Sequence, residues 1–428
     1  MAFGNELKRI MEILIRSRIL MWGLLGLAMA CDLSNEPSQD FGEEQTFLKV
    51  YGGGDDHIGI EGHPLAEGGY ILAGNSQIDN SVESLLRGQG LQGFMKMIKT
   101  DELGNVLWET VPDTSSYNVV TAMAVDGEEN YVMAGSTVSL DSPSIASADV
   151  RVSKVGSNGD LLWSRNYGDV VRRGGDIARD VHVASNGDYL VIGLTTGVPG
   201  SITNLISNTD IYALRISAVD GSVIWEKTYG LSGLIADTGI AIKEDRNGNL
   251  VWLGRVQVGI NNDRMRLVKS NGDGNILWDF DYELDGDSQV PGDLLITPAG
   301  YTAMGVSGSS YALFHTNTSG QLLWQKAFTE IEGAQPFPTS ISLSRDGFLL
   351  LAGTYRLGND NNDQFLIKAK TGGGELLWHR VYGEGDHDVA AKVCATADGG
   401  ILISGTLGFS SNSLMSLIKT DAEGRLSE

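Results

Sequence analysis

Short apolar runs that end in glycine recur along the chain. There are seven, each five or six residues long, at 70–74, 131–135, 189–193, 250–254, 301–305, 348–353 and 401–405. In each repeat a second apolar run follows the run that ends in glycine, as at 94–99 and 150–154. A weaker apolar run precedes it, as at 177–183. Apolar runs of this length, bounded by Gly, Asn and Asp, predict β-strands.

A strand containing tryptophan completes each repeat. Residues 159–168 read Gly-Asp-Leu-Leu-Trp-Ser-Arg-Asn-Tyr-Gly, and near copies occur at 221–230, 274–282 and 374–383. The aligned tryptophans, 46 to 62 residues apart, are Trp108, Trp163, Trp225, Trp278, Trp324 and Trp378. Four strands per repeat and seven repeats predict an all-β fold, a seven-bladed β-propeller with four-stranded blades.

The two ends of the chain complement each other. The last repeat stops at 419–428, where its tryptophan strand would form. Residues 46–52 contain an isolated strand of that kind, with Phe47 four residues before Tyr51 in the place of the tryptophan. We therefore predict that the N-terminal strand completes the last blade and closes the ring, which leaves no open sheet edge.

The aromatic residues of these strands are predicted to be structural. Strand alternation places Trp163 and Tyr167 on one face of the outer strand of a blade. Since blades stack face to face, a large ring with one N–H can fill the space between them and donate to a backbone carbonyl. The predicted inter-blade docking residues are Phe47, Trp108, Trp163, Trp225, Trp278, Trp324 and Trp378.

These motifs resemble those of known propellers. Segments 100–108 and 270–278 resemble the tryptophan-docking motif of quinoprotein-like propellers. The whole pattern over 46–428 is similar to that of repeat lipoproteins from Bacteroidota. The resemblance implies the fold, and such propellers host unrelated activities. Quinoprotein dehydrogenases have eight blades and an adjacent-cysteine disulfide, whereas this chain has a lone Cys394 in its repeats, so their activity is not expected.

The N-terminus has the pattern of a lipoprotein signal. Basic residues up to Arg18 precede an apolar stretch at 19–30, which is shorter than a membrane span. It ends in Leu-Ala-Met-Ala-Cys31, which resembles a bacterial lipobox with Ala28 in the usual leucine position. We predict a signal peptide at 1–30, lipidation of Cys31 and a flexible tether at 31–45. Translation could start at Met1 or at Met11.

Charge narrows the choice of partners. The formal net charge is −23, which argues against nucleic acid and against binding to anionic membrane surfaces. Two cysteines imply no disulfide framework. We expect a monomeric propeller in the bacterial cell envelope, held at the outer membrane by its lipid alone. It could lie on either the periplasmic side or the surface side of that membrane.

The connections between strands predict a working face. The turns between the first and second and between the third and fourth strands are short, whereas the other connections are long and varied. Variable loops on a rigid scaffold usually carry binding residues. The candidate ligand residues on this loop face are Arg87, Arg172, Arg173, Arg255, Phe337, Tyr355, Arg356 and Phe409.

Polar clusters offer weaker candidates for chemistry. Two segments on predicted loops could hold a metal ion or an acid–base pair, and their residues are Asp56, His57, Asp386, His387 and Asp388. Solvated carboxylates and turn caps explain them better, so no metal site is predicted. The GxGxxG letters at 88–93 fall between two strands and open no helix, so no cofactor is expected either. Cys394 is predicted to be a buried, inert thiol.

Strong structural repeats without a convergent catalytic set favour a non-enzymatic binding or scaffold module. Its ligand would be a glycan, a peptide or a protein. The alternative is an envelope enzyme that acts on glycans as a hydrolase or lyase, with carboxylates on the loop face or in the central channel. A subunit of an outer-membrane assembly machine is a third hypothesis, which would require an apolar patch on one face.

Overall fold

Twenty-eight strands and no helix make up the part of the chain that the computed structural model describes. The described residues are 45–79, 92–138, 148–168, 175–196, 209–230, 236–259, 262–284, 288–328, 336–356, 362–383, 388–409 and 412–427. The chain divides into two compact units, 1–43 and 44–428, and all the strands belong to the second. The predicted signal peptide and Cys31 lie outside the described residues.

The strands form seven antiparallel sheets of four. Blade 1 contains β2 (His57–Pro64), β3 (Tyr70–Asp79), β4 (Gln92–Thr100) and β5 (Val106–Thr110); blade 2 contains β6 (Tyr117–Val125), β7 (Tyr131–Val138), β8 (Asp149–Val155) and β9 (Leu161–Tyr167). Blade 3 contains β10 (Asp176–Val183), β11 (Tyr189–Thr196), β12 (Thr209–Ile216) and β13 (Val223–Tyr229); blade 4 contains β14 (Thr238–Glu244), β15 (Leu250–Gly259), β16 (Asn262–Ser270) and β17 (Ile276–Tyr282). Blade 5 contains β18 (Gln289–Thr297), β19 (Gly300–Ser307), β20 (Ser310–Thr316) and β21 (Leu322–Phe328); blade 6 contains β22 (Pro336–Leu343), β23 (Leu349–Arg356), β24 (Asn362–Ala369) and β25 (Leu376–Tyr382). Blade 7 contains β26 (Val389–Ala395), β27 (Ile401–Phe409), β28 (Asn412–Thr420) and β1 (Phe47–Tyr51).

The N-terminal strand closes the ring. β1 pairs with β28 from Phe47 opposite Lys419 to Tyr51 opposite Met415. The Oγ1 atom of Thr46 accepts a hydrogen bond of 2.7 Å from the backbone N–H of Ser427, so the two chain ends are also tied together. The prediction of a seven-bladed propeller closed by its N-terminal strand is confirmed.

The outermost strand of a blade docks on the next blade through its aromatic side chains. Trp163 Nε1 donates to the carbonyl of Ala218 at 3.2 Å, and Trp225 Nε1 donates to that of Gly272 at 3.0 Å. Four residues further along, the Tyr167 hydroxyl donates to the Gly221 carbonyl at 2.6 Å. Equivalent tyrosine bonds are made by Tyr51, Tyr229, Tyr282 and Tyr382. Each bond satisfies a turn carbonyl that the aromatic ring covers.

A glycine in the receiving turn makes this close approach possible. Gly424 has φ of 70°, and a Cβ atom there would lie 2.9 Å from the Trp378 ring. A Cβ atom at Gly104 would likewise lie 2.9 Å from the ring of Phe47. Both the left-handed conformation and the missing side chain are therefore needed at this position. Phe47 thus occupies the place in blade 7 that tryptophan has elsewhere.

Ion pairs tie the third strand of a blade to the turn between its first two strands. Lys269 Nζ lies 2.8 Å from Asp245 Oδ2, and both side chains are buried. The equivalent pairs are Lys99–Glu67, Lys154–Asp126, Arg215–Asp188, Lys368–Asp346 and Lys419–Asp398. Blade 5 differs, because its equivalent residue is His315, which stacks on Trp324 with the ring centroids 5.4 Å apart.

The two faces of the ring carry different connections. On the turn face, short turns join the first strand to the second and the third to the fourth. The other connections lie on the loop face. In blades 4, 5 and 7 only two residues separate the second strand from the third, at 260–261, 308–309 and 410–411. No helix of the described residues has the length and apolarity that a membrane span needs.

Replacing Lys269 by methionine is expected to destabilise the propeller by about 3 kcal/mol or more, because Asp245 would keep a buried charge without its cation. Urea unfolding of the two proteins measures the difference. Lys370→Met is the matched control, since its pair with Glu375 is exposed, and about 0.5 kcal/mol or less is expected. Equal costs for the two substitutions would contradict this account of the buried pairs.

Candidate functional site

The innermost strand of every blade has a β-bulge at the same place. In β2 the register with β3 shifts between Gly59 and Glu61, so that Ile60 is the extra residue. The other bulge residues are Thr121, Arg179, Ile240, Gly292, Thr339 and Ala391. A bulge leaves its residue unpaired and re-aims the neighbouring side chains. The repeated bulge therefore sets which side chains surround the axis of the ring.

The position after the bulge is acidic in blades 1, 3 and 5. Glu61, Asp180 and Asp293 stand there, and each accepts a hydrogen bond from a backbone N–H of the next blade's innermost strand. The donors are Met123 at 2.7 Å, Ile242 at 2.9 Å and Ile341 at 3.0 Å. Each carboxylate thus joins its blade to the one that follows.

Small residues alternate with these acids. Blades 2, 4 and 6 have Ala122, Ala241 and Ser340 at the same position, all buried. Seven is an odd number, so blade 7 cannot continue the alternation, and it has Lys392 there. Lys392 Nζ lies 2.8 Å from Glu61 Oε1, so an ion pair joins blade 7 to blade 1.

His63 shares the carboxylate of Glu61. Its Nε2 lies 3.2 Å from Glu61 Oε1 and 3.2 Å from the Met123 carbonyl oxygen. Burial alone would lower the pKa of His63, but hydrogen bonds to Cys394 and Glu61 outweigh it and raise the pKa to about 10. Burial likewise works against the charge of Glu61, yet Lys392 and His63 hold its pKa below the usual range. At neutral pH Glu61 is therefore ionised between two cations.

Blade 3 contributes a second group of charges. Lys243 Nζ, from blade 4, lies 2.7 Å from Asp180 Oδ2. Burial and the nearby Lys243 lower the pKa of His182 to about 4, so this imidazole is neutral at pH 7. Arg179, the bulge residue, is exposed to solvent, yet loss of hydration lowers the pKa of its guanidinium. Because neighbouring blades cover both faces of the sheet, this exposed side chain on an innermost strand faces the axis of the ring.

These groups meet near the axis. The pKa of Lys392 is held well above its usual value against the effect of burial, chiefly by Glu61 and Asp293, with a further contribution from Asp180. Glu61, Asp180, Asp293 and Lys392 all stand directly after the bulge of an innermost strand, so they lie at the same level around the axis. We call this set the axial cluster: Glu61, His63, Arg179, Asp180, Lys243, Asp293 and Lys392.

Apolar side chains are exposed at the loop-face ends of blades 5, 6 and 7. Val290, Phe337 and Val389 are at the start of the innermost strands of blades 5, 6 and 7, and all three are exposed. Phe337 is 52% exposed, and Phe409 at the end of β27 is 45% exposed. Because neighbouring blades cover both faces of each sheet, side chains exposed on an innermost strand face the axial opening. We call Val290, Phe337 and Val389, together with Phe409 at the loop-face end of the second strand of blade 7, the apolar collar.

The predicted ligand-face residues have different environments. Phe337 and Phe409 belong to the apolar collar, whereas Arg255 is paired with Asp263, with Nη2 and Oδ2 2.6 Å apart. Tyr355 and Arg356 are the last two residues of β23, where the backbone alone is described. Arg87, Arg172 and Arg173 lie outside the described residues.

The weak metal candidates on the loop face bind backbone groups. Asp56 Oδ1 accepts from the N–H of Ser413, and Asp388 Oδ1 accepts from that of Gly408, each at 2.8 Å. Ser413 and Gly408 are opposite each other in the β27–β28 hairpin, so the two acids hold the hairpin from its two sides. His57 is buried, with Nε2 3.3 Å from the Gly53 carbonyl oxygen. Asp386 and His387 lie outside the described residues, among which no three His, Cys, Asp or Glu side chains are grouped to hold a metal ion.

The axial cluster was not identified from the sequence. Its signal is the presence of charged residues near the middle of otherwise apolar first strands, at the position that follows the bulge. The prediction that Cys394 is buried is wrong, because this free thiol in β26 is half-buried. Its Sγ lies 3.7 Å from the Gly62 carbonyl oxygen, and it helps to raise the pKa of His63.

His63 is expected to remain protonated up to about pH 10, whereas His182 loses its proton at about pH 4. Because the pKa of folded His63 exceeds its ordinary 6.5, its contribution to stability is complete below pH 6.5 and is lost as the pH rises through 10. Imidazole NMR titration, assigned with His63→Gln, measures both values. Glu61→Gln should lower the pKa of His63, and titration of wild-type His63 near 6.5 would refute the proposed environment.

Comparisons with known proteins support the architecture. No protein-family model and no curated protein matches the chain. A protein of Bacteroides fragilis, provisionally named a 6-phosphogluconolactonase, is 13% identical with a TM-score of 0.51, over 92% of this chain and 95% of its own. A Bacteroides uniformis protein with the same provisional name is 12% identical with a TM-score of 0.50, over 87% and 94%. The quinohemoprotein alcohol dehydrogenase ADHIIG of Pseudomonas putida is 11% identical with a TM-score of 0.46, over 80% and 66%. At these identities the chain is shown to share a β-propeller fold with proteins of Bacteroides.

Proposed function

We propose that this protein is a non-enzymatic binding module that captures a peptide or protein partner on its loop face. The observation that carries the proposal is the apolar collar. Phe337 and Phe409 come from neighbouring blades and expose about half of their surface on a rigid β-scaffold. Exposed aromatic side chains around a concave opening are typical of recognition sites.

The energetics favour a partner that covers the collar. Transfer of apolar surface out of water contributes about 25 cal/mol per Å², so one covered phenylalanine contributes roughly 1.5 kcal/mol or more. The collar sits on strands held by the ring and needs little ordering when a partner binds, which reduces the entropic cost of association. An aromatic ring could also stack on a sugar, so a glycan is the competing ligand to be tested.

An enzyme that acts on glycans is less well supported by the axial carboxylates. The general acid of a glycoside hydrolase needs a raised pKa, whereas Lys392 and His63 lower that of Glu61. Asp180 and Asp293 each accept a backbone N–H of the next blade. These three acids are therefore engaged in holding blades together and in ion pairs.

Ligands selected from a peptide-display library and from a glycan array should bind at least tenfold more weakly to Phe337→Ala and Phe409→Ala, since each substitution removes an exposed anchor. Titration calorimetry on the chain from residue 32 onward provides the dissociation constants. Phe280→Ala is the matched control, because Phe280 is 46% exposed but lies on the outermost strand of blade 4. Unchanged affinity of both collar variants would exclude the collar as the binding surface.

The proposed module is anchored in the cell envelope through a lipid on Cys31. Its support is the basic and apolar N-terminal pattern that ends in Leu-Ala-Met-Ala-Cys31. Expression with radiolabelled palmitate in a bacterium that processes lipoproteins should label the wild type and fractionate it with membranes. Cys31→Ser should lose both the label and the fractionation. A labelled Cys31→Ser protein, or an unlabelled wild type, would contradict the anchor.

A further inference from the structure

The axial cluster has a surplus of positive charge. Its cations at pH 7 are His63, Arg179, Lys243 and Lys392, and its anions are Glu61, Asp180 and Asp293. Four positive and three negative charges leave a net charge of +1, in a chain whose formal net charge is −23. The sign of the local charge at the axis is thus opposite to that of the whole protein.

Two of the three carboxylates of the cluster are each engaged by several partners. Glu61 Oε1 serves both Lys392 and His63, while Oε2 accepts the N–H of Met123. Asp293 accepts the N–H of Leu294 on one oxygen and that of Ile341 on the other. One carboxylate therefore neutralises two cations, and another is occupied by backbone donors.

Arg179 is the cation without an assigned counter-ion. Among the described residues it has no salt-bridge partner, although its neighbour Asp180 binds Lys243. It is the bulge residue of the innermost strand of blade 3, and its side chain is exposed although loss of hydration acts on its guanidinium. Its neighbour Asp180 and Lys392 both stand directly after the bulges of their strands, in blades 3 and 7.

We propose that the axial cluster binds a small anion with a carboxylate or phosphate group, held by Arg179 and assisted by Lys392. The planar guanidinium offers paired N–H donors that match the oxygens of either group. Loss of hydration acts on this guanidinium, so its attraction for an anion is stronger than at a fully open surface. The anionic head of a small molecule would bind at the axis, whereas the proposed protein partner stays at the collar.

Calorimetric titration of the chain from residue 32 onward with inorganic phosphate, and separately with acetate, tests the proposal. Binding of one probe or both is expected, and Arg179→Gln should weaken it by about tenfold or more, because a charge-assisted contact is lost. Arg165→Gln is the matched control, since Arg165 is an exposed arginine on the outermost strand β9 and should leave binding unchanged. Preference for one probe identifies the head group.

Arg179→Glu reverses the charge of this side chain. Its net charge at the axis becomes −1, so phosphate and acetate binding should disappear while circular dichroism and the melting temperature confirm a folded protein. Binding by the wild type that survives Arg179→Glu would overturn the proposal. Absence of binding by the wild type at millimolar anion would overturn it too.

Discussion

Every blade of this propeller depends on the next one, because a four-stranded sheet with two apolar faces has no independent core. At the perimeter the contact is aromatic: Trp163 and Tyr167 cover a glycine turn of the following blade and donate to its carbonyls. Phe47 makes the corresponding contact at Gly104, which brings the first strand into the last blade. One docking geometry thus both stacks the blades and closes the ring.

A second set of contacts joins the blades near the axis. Acids in blades 1, 3 and 5 bond to the backbone of the next blade, and small residues between them leave the space for this reach. Because the number of blades is odd, the alternation of acidic and small residues around the ring is interrupted once. Lys392 stands at the interruption and pairs with Glu61, so the junction where the ring closes is also the place where cations accumulate.

These constraints separate structural and functional surfaces. Most aromatic side chains of the repeat are committed to inter-blade docking, whereas Phe337 and Phe409 are exposed at the loop-face opening. Charges of the axial cluster likewise hold the blades together, with Arg179 as the cation that has no described salt-bridge partner. The proposed functions rest on side chains that the packing of the ring does not engage, namely the collar on the loop face and the guanidinium of Arg179.

The sequence by itself determined the number of blades, the strand order and the closure by Phe47. These features follow from local periodicity and from one aromatic motif repeated at similar spacing. Both signals can be recognised within short segments of the chain. It also placed Phe337 and Phe409 on the loop face, since strand order alone fixes the side on which a connection lies. Residues such as Glu61, Asp180 and Lys392 are more than a hundred residues apart. Only the closed ring brings them together, because a site at the axis depends on side chains from several blades and on a bulge that periodicity does not reveal.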